Sequence, residues 1–200
     1  MKRTFEELRE EYVQSAFSEE EASSDPIEQF GRWFDAAVSE GLPLANACAL
    51  ATATAEAMPS ARMVLLKGFD QRGFLFFSNY DSRKGRELSV NPQASLLFWW
   101  TALERQIRIE GRVERATAKE SDDYFAERPR GSNLSALGSR QSEVVGSRAS
   151  LESEVAAVEA HWQGKDLERP DFWGGYRLVP SELEFWQGRA NRLHDRLRYC

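Results

Sequence analysis

The 200-residue chain carries 26 basic and 32 acidic side chains, for a formal net charge of −6, and that length can bury a sizeable core in one domain without staples. Its two cysteines, Cys48 and Cys200, are too few and too far apart for a disulfide framework or a zinc site, and net acidity disfavours a general nucleic-acid binder. The longest uncharged runs, Gly41 to Ala55 interrupted by Pro43 and Leu88 to Leu103 interrupted by Pro92, are too short for a bilayer span, and the charged N-terminus lacks an apolar leader core, so the expectation is a cytoplasmic protein.

Along the chain, Phe5, Leu8 and Tyr12 recur at helical spacing over Thr4–Ser15, and the acidic linker Ser18–Asp25 follows. Residues 1–24 therefore read as an N-terminal helix and linker, and 25–200 as a single domain. Asp25 caps a helix with Pro26 in its first turn and Ile27, Phe30, Phe34 and Val38 on one stripe, ending at Gly41. Short strand-like runs come next, at Ala47–Thr54, Ser60–Lys67, Gly73–Ser78, Ala94–Thr101 and Arg105–Arg115, with a short helix over Ser82–Val90 and a turn over Phe69–Gly73. Helical patterns cover Lys119–Arg128 and Ser150–Trp162, and three more strands are expected at Gly174–Val179, Glu182–Gln187 and Arg192–Tyr199. Strands and helices do not alternate, so a doubly wound parallel sheet is disfavoured. The pattern predicts a mainly β (α+β) antiparallel barrel with peripheral helices.

The net charge conceals a gradient: 4 basic and 12 acidic groups in residues 1–61, 14 and 10 in 62–142, and 8 and 10 in 143–200. Within this gradient, no GxGxxG follows a strand, no phosphate loop of the GxxxxGK[ST] type occurs, and with two histidines and no G-x-S-x-G the common hydrolase arrangements are absent. What remains is a set of cations spaced like anion ligands. In the strand Arg62-MVLLK, alternation puts Arg62 and Lys67 on opposite faces, suited to two different anions or to plain snorkelling. Ser82-Arg83-Lys84-Gly85 opens a helix with two cations beside free amides, a ready phosphate site. Tyr124 and Arg128 lie four apart on one helix face, with Ser132 just past Pro129. They are either a cradle for a phosphate ester or a surface pair. Arg192, His194 and Arg196 share one face of the last expected strand. No metal site is expected.

Taken together, Arg62-MVLLK-Gly68, Ser82-RKG, Asn91-Pro92, Leu103-ERQIRIEG-Arg112, Tyr124-FAERP, Ser139-RQS, Phe172-WGGYRLVP, Glu184-FWQG and Arg192-LHDR resemble, in order and over nearly the whole chain, the pyridoxamine/pyridoxine 5′-phosphate oxidase family. Two departures stand out. Leu134-Ser135-Ala136 stands where that family usually has Ile-Gly-Ala, and the family usually continues past the position of Cys200 with a short strand and a Trp-containing tail.

The resemblance implies an FMN-binding split β-barrel homodimer with FMN at the subunit interface. By motif position, FMN would be held by Arg62, Met63, Val64, Leu65, Leu66, Lys67, Phe77, Ser78, Arg83, Lys84, Gln106, Gln141, Ser142, Trp186 and Arg196. Substrate would be held by Lys67, Tyr124, Arg128 and Ser132 at its phosphate, with Arg9 and Tyr12 closing over it. Arg192 and His194 would face the pyridine ring as catalytic residues. The implied reaction oxidises pyridoxine or pyridoxamine 5′-phosphate to pyridoxal 5′-phosphate, with O₂ reduced to H₂O₂. The alternatives are a sister oxidase acting on a tricyclic precursor, as in phenazine assembly, and a non-catalytic flavin- or pyridoxal-phosphate-binding protein.

Overall fold

The computed structural model describes Tyr12 and residues 16–200; the helix expected over Thr4–Ser15 lies outside the described residues. Asp25 accepts hydrogen bonds from the amides of Ile27 and Glu28 and so starts α1 (Pro26–Ser39). Two hairpins follow, β1 (Ala47–Ala53) with β2 (Pro59–Leu65) and β3 (Gly68–Asp70) with β4 (Gly73–Asn79). After α2 (Arg83–Val90) come β5 (Gln93–Trp100) and β6 (Arg105–Arg115). Three helices, α3 (Ala118–Glu127), α4 (Arg130–Gly138) and α5 (Arg148–His161), lead to β7 (Trp173–Gln187) and β8 (Asp195–Tyr199).

The strands form one antiparallel sheet in the order β2-β1-β5-β6-β7-β4-β3, with β8 also on β7. β6 runs along one edge of β7. On the other edge β4 pairs with its first half, Trp173 to Leu178, and β8 with its second, Leu183 to Gln187. The two ends of the strand path, β2 and β3, are separated in sequence by Leu66 and Lys67 alone. The sheet must therefore curl until its ends meet, and the Lys67 amide, donating to the Leu75 carbonyl at 2.8 Å, extends the β3–β4 pairing into that link. The result is the curled, split antiparallel barrel with peripheral helices that the strand pattern predicts.

Helix α1 buries Ile27, Phe30, Trp33 and Ala37 against the sheet. Phe30 is fully buried, its ring centroid 4.8 Å from Phe69, 4.9 Å from Phe74 and 5.3 Å from Phe98, so a single side chain joins α1 to β3, β4 and β5. Phe17 stacks at a tilt on Trp33, 4.8 Å away, and extends the core toward the linker.

Several expected boundaries move. The two strands expected around Pro180 are one strand, β7. Gly111 faces Pro180 and Glu110 faces Glu182, which leaves Ser181 as the extra residue of a bulge where proline's missing N–H is not required. A Cβ on Gly111 would lie 2.0 Å from the Val179 carbonyl oxygen, so only glycine fits there. Pro129 ends α3 as expected but also caps a new helix, α4, that the weak periodicity of Arg130–Gly138 did not reveal. β3 occupies part of the turn expected over Phe69–Gly73. The last strand begins at Asp195 rather than Arg192, because a 3-10 turn with Asn191 and Arg192 at positive φ precedes it.

Truncating Phe30 to alanine removes the hub of the aromatic cluster. The Phe30→Ala protein is expected to lose about 3–5 kcal/mol of stability, read as a lower urea midpoint with an unchanged m-value.

Candidate functional site

The seam between β2 and β4 opens into a cleft of 560 Å³. β2 and the link after it supply Met63, Val64, Leu65 and Lys67; β4 supplies Phe77, Ser78 and Asn79; α3, α4 and the segments after them supply Tyr124, Arg128, Ser132 and Gln141. A second cleft of 400 Å³, lined by Ser60, Ala61, Arg62, Arg83 and Ser142, shares Met63, Lys84 and Gln141 with the first. Among the described residues, the cations of the two clefts are Lys67, Lys84 and Arg128 in the larger and Arg62, Arg83 and Lys84 in the smaller, and neither lining contains a carboxylate.

Lys84 stands where the clefts meet. Its ammonium donates to Ser78 Oγ at 3.0 Å, Ser82 Oγ at 3.2 Å and Gln141 Oε1 at 2.8 Å, all neutral acceptors. Burial, with Arg62 nearby as a second cause, pushes its pKa down to about 8. Ser82 caps α2 through the Gly85 amide, and Gly85 itself must be glycine because a Cβ would lie 1.9 Å from the Tyr80 carbonyl oxygen. The helix start is thereby pressed against the end of β4, bringing Lys84 to Ser78.

In the larger cleft the rings of Phe77, Tyr124 and Trp173 stack, with Phe77 and Tyr124 4.0 Å apart at 25°. Lys67 lies 5.5 Å from the Tyr124 ring centroid and Arg128 lies 4.6 Å from that of Trp173. Arg128 is braced by Asn133 Oδ1 at 2.9 Å, and Asn133 in turn donates to the Phe125 carbonyl at 2.8 Å. Burial lowers the pKa of Arg128, and Tyr124 opposes that shift. Tyr124, Arg128 and Ser132 thus line one wall, with Ser132 in the first turn of α4 rather than in a loop.

Arg62 and Lys67 line different clefts, although strand alternation is not the whole reason. β2 ends at Leu65, so Lys67 already belongs to the link between hairpins. Leu66 does not line either cleft. Its side chain is buried in the core, and Asn46 engages its backbone, accepting from the Leu66 amide and donating to its carbonyl.

The remaining predicted site residues form a second cluster. His194 lies 4.5 Å from the Trp186 ring centroid, and Tyr12 meets both edge-on at 5.4 and 5.5 Å. Gln106 and Arg196 are the register partners of Trp186 on either side. Arg192 is exposed in the 3-10 turn, so Arg192, His194 and Arg196 do not share a strand face. The turn is held by the Arg189 amide donating to His194 Nδ1, and by Asp195, which accepts from Arg189 and from the Phe17 amide. Arg9 lies outside the described residues.

β7 carries Trp173 in the cleft and Trp186 in the cluster. Thirteen residues, up to roughly 40 Å of extended chain, lie between them, and neither Trp186 nor its described neighbours line the clefts. One chain therefore does not bring the two groups together.

Sequence reasoning assigned no role to Trp173, Asn79, Pro129, Ser135, Ala136 and Ser139, all lining the larger cleft. Trp173 had a signal, since it opens the strand motif quoted above. Ser135 and Ala136 had only their place in a family motif, because the helix that turns them toward the cleft was not anticipated.

The chain matches the family model described as pyridoxamine 5′-phosphate oxidase over residues 34–162 and the one described as pyridoxine 5′-phosphate oxidase C-terminal dimerisation region over 173–200. A protein of Rubrobacter xylanophilus named pyridoxine/pyridoxamine 5′-phosphate oxidase is 56% identical over 193 residues, covering 96% of this chain and 89% of that protein. One of the same name from Trichormus variabilis is 53% identical, covering 100% and 93%. Among solved structures, PhzG of Burkholderia lata, in complex with tetrahydrophenazine-1-carboxylic acid, superposes with a TM-score of 0.88 at 36% identity, covering 94% of this chain and 92% of that one.

The depressed pKa of Lys84 sets a pH test. Below about 8 the folded and unfolded chains both hold its proton; between there and the ordinary 10.5 only the unfolded chain does, so the ligand-free protein gains stability as pH rises through that window. The gain is expected to be absent in Lys84→Met, compared by urea midpoints at about pH 7.5 and about pH 10.

Proposed function

This chain belongs to the pyridoxamine 5′-phosphate oxidase family, and on that footing we propose that it binds FMN and oxidises pyridoxine 5′-phosphate and pyridoxamine 5′-phosphate to pyridoxal 5′-phosphate, with O₂ reduced to H₂O₂. The enzyme is an oxidoreductase with a flavin cofactor. No helix among the described residues is long and apolar enough to cross a membrane, and we place the enzyme in the cytoplasm.

The observation that carries this reading is the pair of adjoining clefts that, among the described residues, are rich in cations and free of carboxylates. Lys84 is buried among neutral acceptors without a counter-charge, and a phosphate dianion supplies one. The residues present thus fit FMN. Arg62, Arg83, Lys84, Gln141 and Ser142 would hold its phosphate end, while Met63, Val64, Leu65, Lys67, Phe77 and Ser78 line the larger cleft beside its ring. When bound there, FMN would supply two-electron redox chemistry between the substrate and O₂.

This chain's residues bind and orient. Lys67, Tyr124, Arg128 and Ser132 grip the substrate phosphate, separately from the cofactor's, and fix the C4′ carbon relative to the ring. Arg192 stabilises negative charge on the pyridine substituents, and His194, oriented by the Arg189 amide, positions or exchanges a proton. Tyr12, packed edge-on against His194 and Trp186, closes over that end, with Arg9.

Because up to roughly 40 Å of extended chain lies between Trp173 in the cleft and the Trp186 cluster, the second group reaches the first from another copy. In a homodimer, Gln106, Trp186, Arg192, His194 and Arg196 of each copy complete the cleft of the other. The match to a dimerisation region over residues 173–200 supports this arrangement. The phenazine-type alternative is disfavoured by the Tyr124–Arg128–Ser132 cradle and by the higher identity to the vitamer-phosphate oxidases.

The purified protein is expected to be yellow and to release H₂O₂ with either phosphorylated vitamer; a yellow protein that makes no peroxide from either sinks the assignment. Each charge-assisted phosphate contact contributes about 1.5–3 kcal/mol, so Arg128→Ala should raise KM for pyridoxine 5′-phosphate about 10- to 100-fold with kcat nearly unchanged. Arg192→Ala should lower kcat instead, and steady-state kinetics of the two variants separate the roles.

A further inference from the structure

Glu87 takes no part in the scheme above, yet the smaller cleft is built around it. We propose that Glu87 is a positioning residue that holds Arg62 and Arg83 as a fixed pair for the flavin phosphate, an inference that rests on reading that cleft as the phosphate site.

The carboxylate lies on α2, one turn after Arg83, and is buried, with only 5% of its surface exposed. Its two oxygens are divided between the two arginines. Oε1 accepts from Arg83 Nε at 2.9 Å, while Oε2 accepts from Arg62 Nη2 at 3.2 Å, Thr52 Oγ1 at 2.5 Å and Ser60 Oγ at 2.6 Å. The same two hydroxyls accept from Arg62, Thr52 from Nη1 and Ser60 from Nη2, and Nη1 also reaches the Leu50 carbonyl at 3.3 Å. Arg62 is thereby locked through a closed ring of donors and acceptors on the inner face of β1 and β2. Arg83, whose side chain is 58% exposed, gains its orientation from Glu87.

Arg62 and Arg83 line the cleft together with Lys84, and Glu87 does not. The carboxylate therefore sits behind the guanidiniums. It offsets the mutual repulsion of three neighbouring cations and leaves their outward donors for an anion. Ordering long side chains before the ligand arrives removes an entropic cost from binding. Burial alone works to raise the Glu87 pKa, but the hydrogen bonds from Ser60, Thr52, Arg83 and Arg62 overcome it and hold the group down at about 2, so it stays ionised through the working pH range.

The test compares two flavins that differ in the phosphate. The full chain, freed of flavin, is titrated with FMN and with riboflavin by fluorescence quenching. In Glu87→Gln the amide NH₂ meets an arginine donor and releases that arginine, so FMN affinity should fall about tenfold while riboflavin affinity holds. Thr52→Val, which removes a buried hydroxyl that does not line the cleft, should shift the ratio in the same direction by less and serves if Glu87→Gln does not fold. An unchanged FMN-to-riboflavin ratio in these variants, or an equal loss of both, overturns the positioning role. A wild-type protein with no preference for FMN over riboflavin instead removes the phosphate reading of the cleft, and this proposal with it.

Discussion

β7 is the constraint on which the rest of the molecule depends. Over fifteen residues it accepts β6 along one edge and divides the other between β4 and β8. A strand shared in this way cannot belong to a simple closed barrel. Its first half commits β4, and hence β3, to return beside β2 through the Leu66–Lys67 link, while its second half carries β8 away. The bulge at Gly111 and Pro180 lets one continuous strand serve both halves, since it supplies extra twist where a proline would otherwise break the ladder. Both functional clusters hang from this strand, Trp173 at one end and Trp186 at the other.

The seam that closes the sheet is also where charge collects. Closing a sheet end to end by a two-residue link leaves a gap beside β2, and the walls of that gap come from elements that each bring a cation: Lys67 from the link, Lys84 from α2 and Arg128 from the end of α3. The depressed pKa of Lys84 reports first its burial and second the nearby Arg62 charge, both of which disfavour its ammonium while no anion is present. Glu87 offsets charge in the adjoining cleft, where it accepts from Arg83 and Arg62. A phosphate bound as proposed would offset more of it, which would link ligand binding to local stability.

Much of this was legible in the residues. The strands before the middle helices fell within a few residues of their expected places because their hydrophobic alternation is bounded by turn residues. Asp25 and Ser82 were readable as caps, and the cations singled out at positions 62, 67, 83, 84 and 128 do line the clefts. The C-terminal expectations fared less well. Reading alternation through Arg192, His194 and Arg196 assumed a strand, but left-handed backbone at Asn191 and Arg192 is imposed by contacts of Arg189, His194 and Asp195 that no local pattern encodes. Leu66 entered with its neighbours in the Arg62-MVLLK motif, although its side chain belongs to the core.

By itself the sequence determined the class of the fold through periodicity and caps, the family through the order of its motifs, and the cations that later meet in the clefts through their spacing, because all of these are local properties that survive in one dimension. The tertiary structure alone decided which cations face a common space, that Glu87 stands behind two of them, and that the Trp186 cluster does not line the clefts within one chain. The physical reason is that sheet closure and strand pairing act between residues up to about a hundred positions apart, as when β4 meets β7, and the charge of a site depends on which groups that closure brings within a few ångströms of each other.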